Sequence, residues 1–242
     1  MRETLLVVLV LLSFCGKGLA TPPPEFDAAN RLFDQGDFQG ARSGFDALVK
    51  SGHWSANLFY NLGNAEFRLG NKSAAFLDYE RALVLEPAHP EATANLNLLR
   101  GETGAKLPSV PWYGRALSKV PANEAAWIAS AAFFGLCFSL IPLVWKRRAA
   151  TLPATVCVLA LIWSGAVVGW HASRGETWIV TADEAKARTT PADNSPAAAT
   201  LPMGSRLCLL LERGPWLQMQ LPDGSAGWIS RDAVQPIRLA RK

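Results

Sequence analysis

Set against itself at an offset of 34 residues, the chain aligns "NRLFDQGDFQGARSGFDALV" with "NAEFRLGNKSAAFLDYERAL". Asn30 falls on Asn64, Phe33 on Phe67, Gly36 on Gly70, Ala41 on Ala75, Phe45 on Tyr79 and Leu48 on Ala82. A period of this length marks a repeat architecture, in which one unit cannot bury its own apolar face. Neighbouring copies must therefore stack, so residues 21–100 are expected to form a row of helix pairs rather than a closed domain. Gly70 ends the first helix of the second copy and Pro87 closes its second. Gly63 and Ala75 are small where paired helices cross, while Leu62, Phe67, Tyr79, Ala82 and Leu85 fill the contact. A third copy begins at "PEATANLNLLR" and stops after one helix. Two copies and a capping helix are short of the three such a stack normally needs, which implies a covering partner or self-association.

The period and residue types resemble the tetratricopeptide repeat, most closely in "LFYNLGNAEFRLGNKSAAFLDYERALVLEP". The resemblance implies that the first helix of each pair lines a concave, protein-binding groove. Its positions here are Phe26, Asn30 and Phe33, then Tyr60, Asn64, Phe67 and Arg68. Asparagine suits an extended peptide backbone because its amide both donates and accepts. The family's carboxylate-clamping variety needs a lysine where this chain has Phe26, so capture of a C-terminal carboxylate is not expected.

Three blocks are nearly free of charge: Leu5–Phe14, Ala125–Trp145 and Leu152–Trp170. The first follows Arg2 and precedes Gly18-Leu19-Ala20, a pattern that predicts a signal peptide over residues 1–20. Cys15 raises a lipoprotein alternative, opposed by bulky Phe14. The second and third blocks, as helices, rise about 31 and about 28 Å, close to the thickness of a hydrocarbon core. They predict transmembrane helices over 125–145 and 152–170, after a linker over 101–124. Lys146, Arg147 and Arg148 in the joining loop, 146–151, would hold that loop in the cytoplasm. Both arms then face the periplasm from a bacterial inner membrane, with the lipid bilayer as a partner. Ala131, Gly135 and Ser139 on one helix and Gly165 and Gly169 on the other would let the hairpin close tightly.

Beyond the hairpin, residues 177–237 alternate short β-prone runs with the breaks "PADNSP", "LPMG", "ERGPW" and "PDGS". That spacing predicts a small antiparallel barrel. Pro222-Asp223-Gly224 reads as a hairpin turn, and Gln218 and Gln220 alternate with apolar neighbours buried on one face. The stretch resembles the bacterial SH3 domain, with Trp216 and Trp228 as ordinary barrel residues. The predicted fold class is thus a multidomain membrane protein: an all-α tetratricopeptide repeat arm, a two-helix transmembrane hairpin and an all-β SH3-like small barrel.

Charge is spread evenly enough to exclude nucleic-acid binding, despite a net charge of +4. No HExxH, GxSxG, P-loop, GxGxxG or CxxC pattern occurs, and Asp78, Glu80, Asp183 and Glu184 read as solvated. No enzyme, catalytic residue, cofactor or metal site is expected. In its order of parts the chain resembles the BatE-type proteins of bacterial Bat aerotolerance systems. That resemblance implies a membrane-anchored scaffold working with proteins bearing von Willebrand factor A domains and a MoxR-type ATPase. The alternatives are a cell-wall receptor using the barrel, with peptidoglycan as ligand, and a redox role for Cys208, whose place in "RLCLLLE" suggests a buried thiol.

Overall fold

A computed structural model describes residues 23–108, 110–118, 120, 122–144, 151–173 and 175–238. The expected signal peptide and most of the cationic loop lie outside these residues.

The described residues begin with five helices: α1 (Pro24–Asp34), α2 (Phe38–Lys50), α3 (Ala56–Arg68), α4 (Lys72–Leu85) and α5 (Pro90–Thr103). The starts of α2 and α4, and of α3 and α5, are 34 residues apart. Local chemistry places them. Asp37 caps α2 by accepting from the Gly40 amide at 2.8 Å, and Ser55 caps α3 by accepting from Leu58 at 3.1 Å. Between paired helices Gly36 and Gly70 adopt φ of +83° and +84°, the left-handed region where glycine escapes a Cβ clash. At each turn the glycine amide and the next amide bond back to carbonyls of the ending helix: Phe33 and Leu32, then Phe67 and Glu66. At the α3–α4 crossing, a Cβ on Gly63 would come within 2.7 Å of the Tyr79 ring. In the first pair, Ala29 and Gly44 make the corresponding close approach. Phe45, Leu48, Leu58 and Leu62 bury the seam between the two pairs.

The expected linker is partly structured. Helix α5 runs to Thr103, Lys106 bonds to the later sheet, and α6 (Trp112–Leu117) follows. Helices α7 (Ala122–Val144) and α8 (Thr151–Ser173) then pack side by side, with Gly135 against Cys157 and α6 held to α8 by Tyr113 on Trp170, ring centroids 5.7 Å apart. Among the described residues no helix is long and apolar enough to cross a membrane. This overturns the two-span reading, and the inner-membrane placement falls with it. Each helix takes in polar residues at one end: α7 begins with Ala122-Asn123-Glu124 and α8 ends with His171-Ala172-Ser173. The hairpin nevertheless exposes Trp127, Phe133, Phe134, Phe138, Val156, Leu159 and Ile162.

The remainder is one antiparallel sheet of β1 (Thr177–Val180), β2 (Glu184–Arg188), β3 (Ala197–Pro202), β4 (Arg206–Arg213), β5 (Trp216–Gln220), β6 (Ala226–Ser230) and β7 (Val234–Pro236), in the order β3-β2-β6-β5-β4-β1-β7. The Pro222-Asp223-Gly224 turn joins β5 to β6 as expected, with Asp223 accepting from the Ser225 amide at 3.0 Å. Leu217 and Met219 point into the core while Gln220 is exposed. The expected SH3-like barrel is not what forms. The sheet is open, because β3 and β7 are its edges and do not pair with each other, and β2 meets β6 through the single pair Arg188–Trp228. It curls round one core that includes Trp178, Val180, Leu201, Leu207, Leu217, Met219 and Ile229.

The helical arm does have a covering partner, and it is this sheet. Phe76, Leu77, Tyr79, Leu96 and Leu99 share a buried cluster with Ile179 and Ile237, and Met203 packs beside it. Gly204, at φ +82°, lies so close that a Cβ there would sit 2.4 Å from the Phe76 ring. Glu80 is 1 % exposed and pairs with Arg100 at 2.8 Å and with Arg206 of β4. The backbone is tied as well: the Arg206 amide donates to the Lys106 carbonyl at 3.0 Å, and the Lys106 amide to the Ser205 hydroxyl at 3.0 Å. Glu80 and Asp78 are therefore not the solvated pair the sequence suggested.

Candidate peptide-binding groove

On α3, Asn57, Tyr60, Asn61 and Asn64 recur at three- and four-residue spacing, which sets them on one stripe of the helix. That stripe faces α1 on one side and the start of α5 on the other, and two open cavities lie along it. The first, of about 370 Å³, is lined by Asn30, Phe33, Asp34, Asn61 and Asn64. The second, of about 640 Å³, is lined by Phe26, Asn57, Tyr60, Asn61, Glu86, His89, Pro90 and Glu91. Asn61 borders both, so the two meet at that residue.

The asparagines are held in defined orientations. Asn61 donates through Nδ2 to Asn30 Oδ1 at 2.8 Å. This bond leaves Asn61 Oδ1 as an acceptor and Asn30 Nδ2 as a donor beside it, the two functions that a peptide unit needs from its host. Asn64 is anchored differently. Its Oδ1 accepts from the Tyr79 hydroxyl at 2.8 Å and from Asn95 Nδ2 at 3.0 Å, which leaves its own amide nitrogen to donate elsewhere. Burial pushes the Tyr79 phenol up to about 12, partly opposed by its bond with Asn95, so this hydroxyl keeps its proton and stays a donor.

At the other end, His89 caps α5: the Ala92 amide donates to its Nδ1 at 3.3 Å, and its Nε2 lies 3.2 Å from Asn57 Oδ1. Tyr60 stacks on the His89 ring, centroids 5.0 Å apart. His89 is 5 % exposed and holds α3 and α5 together.

Of the seven residues expected in the groove, five line these cavities: Phe26, Asn30, Phe33, Tyr60 and Asn64. Phe67 does not; it packs against the cluster shared by the arm and the sheet. Arg68 does not either; its guanidinium lies 4.3 Å from the centroid of the Phe38 ring, which also meets Phe33 edge-on at 5.2 Å. Asp34, Asn57, Asn61, Glu86, His89, Pro90 and Glu91 were missed. Helical spacing from Tyr60 and Asn64 points to Asn57 and Asn61, whereas the α5 contribution depends on a packing angle with no local signal.

The sheet offers less. Trp216 and Trp228 are half-buried, and Cys208 is partly exposed rather than buried, pairing in the ladder with Thr177 and Gln220. A third cavity, about 230 Å³, lies between α2, α4 and the β1–β7 end of the sheet and contains Arg42, Asp46, Glu66, Asp78 and Arg81. Burial raises the Asp78 carboxyl to about 7 even though Arg81, at 3.2 Å, pulls the other way.

No family model matches the chain. The comparisons thus support neither the name tetratricopeptide nor the name SH3-like, and the 34-residue helical repeat stands on geometry alone. The chain is 38 % identical over 89 residues to a protein of Pseudomonas aeruginosa named probable biofilm formation methyltransferase WspC. The match takes in 37 % of this chain and 21 % of that protein, so the chain spans about a fifth of the relative's length. This comparison overturns the expectation that an enzyme is excluded, since a relative is named for a catalytic activity.

Proposed function

We propose that the helical arm is a docking scaffold that holds an extended segment of a partner protein along Asn30, Asn61 and Asn64. The observation that carries this reading is the tethered amide pair. Asn61 and Asn30 make one hydrogen bond to each other, which leaves Asn61 Oδ1 able to accept and Asn30 Nδ2 able to donate, and both residues line an open cavity. By resemblance to the Bat systems, proteins with von Willebrand factor A domains and MoxR-type ATPases are the first partners to test. Crosslinking with mass spectrometry, comparing the native chain with Asn30→Ala/Asn61→Ala, tests both parts. Capture of such proteins by the native chain alone supports the reading, and equal capture by both chains overturns it.

The relative's name favours a second reading, participation in methyl transfer. Titration of the full chain with S-adenosylmethionine in a calorimeter tests it. A saturable isotherm supports a methyl-donor site in this chain, and a flat trace removes it.

A further inference from the structure

The chemistry of the second cavity narrows what the groove takes. Its carboxylates are Glu86 and Glu91, the latter 3.1 Å from His89 Nδ1, the neighbouring first cavity adds Asp34, and neither cavity has a lysine or arginine among its lining residues. The chain as a whole carries a net charge of +4, so the acidity belongs to the groove and not to the protein at large. Two aromatic rings complete the second cavity. Phe26 comes from α1, and Tyr60 is steadied by stacking on His89. A carboxylate beside an aromatic face suits a guanidinium or ammonium group, because ring and carboxylate both attract the cation and the ring covers its apolar stem.

We infer that the groove binds an extended peptide carrying an arginine or lysine side chain that enters the cavity of Phe26, Tyr60, Glu86 and Glu91. The peptide backbone runs along Asn61, Asn30 and Asn64, the residues that join this cavity to the first. The inference rests on the docking reading above and adds the charge of the ligand to it.

The test is fluorescence anisotropy of the full chain with three labelled octapeptides of alternating Ala-Arg, Ala-Gln and Ala-Glu. Expected is saturable binding of the arginine peptide, at least about tenfold tighter than the glutamine peptide, with the glutamate peptide weakest. Glu86→Gln/Glu91→Gln changes two exposed residues outside the core and should erase most of that preference. Asn30→Ala/Asn61→Ala should weaken all peptides alike. Equal binding of arginine and glutamine peptides, with the asparagine variant still defective, overturns the basic-ligand inference and leaves the docking reading standing. An arginine preference that survives Glu86→Gln/Glu91→Gln also overturns the inference. If no peptide binds, or if the asparagine variant binds all three like the native chain, the docking reading fails and the inference with it.

Discussion

The helical arm has two working faces, and they handle polar groups in opposite ways. On the groove face the polar contacts are mostly neutral hydrogen bonds of half-exposed asparagines, Asn61 with Asn30 and Asn64 with Asn95 and the buried Tyr79 hydroxyl. On the sheet face they are ionic and buried, with Glu80 at 1 % exposure between Arg100 and Arg206. Buried charge is tolerated only when its partners are fixed, so the sheet face suits a permanent contact. Neutral amides are desolvated at lower cost and can exchange one partner for another, which suits a surface that has to be vacated. One repeat thus supplies both a closed joint and an open one.

The largest effect should come from breaking the closed joint. Glu80→Ala removes the buried carboxylate shared by the part-exposed Arg100 and Arg206, and the destabilisation in urea unfolding should be about 3 kcal/mol. Asp78 tests the same face through pH. Its carboxyl holds a proton up to about 7 in the fold, because of burial, but only up to about 4 in the unfolded chain. Between those values the folded state binds the extra proton, so stability should fall as pH rises from about 4 to about 7 and then level off. Asp78→Asn should flatten that profile and be the more stable chain at pH 8, by on the order of 3 kcal/mol, as read from melting curves across pH. Gly204→Val should cost about 3 kcal/mol by forcing a side chain into Phe76 from a left-handed backbone. Paired with Phe76→Ala it should cost less than the sum of the two, which a double-mutant cycle would read. The smallest stability effect belongs to the open face. Asn61→Ala should lower stability by only about 1 kcal/mol while weakening peptide binding. A large loss of stability from Asn61→Ala would erase the distinction between the faces.

What could be read in the sequence was local. The 34-residue period, the turn glycines Gly36 and Gly70, the small Gly63 at a crossing and the Pro222-Asp223-Gly224 hairpin all act through near neighbours. The arm–sheet joint was not legible, because it pairs Glu80 with Arg206 and Phe76 with Gly204 across more than a hundred residues. That distance is also why Asp78 and Glu80 passed for solvated residues. Phe67 and Arg68 share the side of α3 that begins with Asn64, yet the pitch of the helix turns one into the joint and the other onto Phe38. Closure of the sheet was misjudged for a related reason. Strand-forming runs can be read one at a time, but whether two edge strands meet depends on the accumulated twist of all seven.

The bonds that Lys106 and Glu176 make to β4 carry one more consequence. The chain leaves the arm and sheet at Lys106, on Arg206, and comes back at Glu176, on Leu209. Those two strand positions are three residues apart, about 10 Å. Everything between, including α6, α7 and α8, is a detour that begins and ends at nearly one point. A short glycine-serine splice across that gap should yield a compact two-part protein that folds without its greasy middle. The middle is then best thought of as an accessory hung from a finished body, free to be lengthened, exchanged or lost while the groove stays as it is.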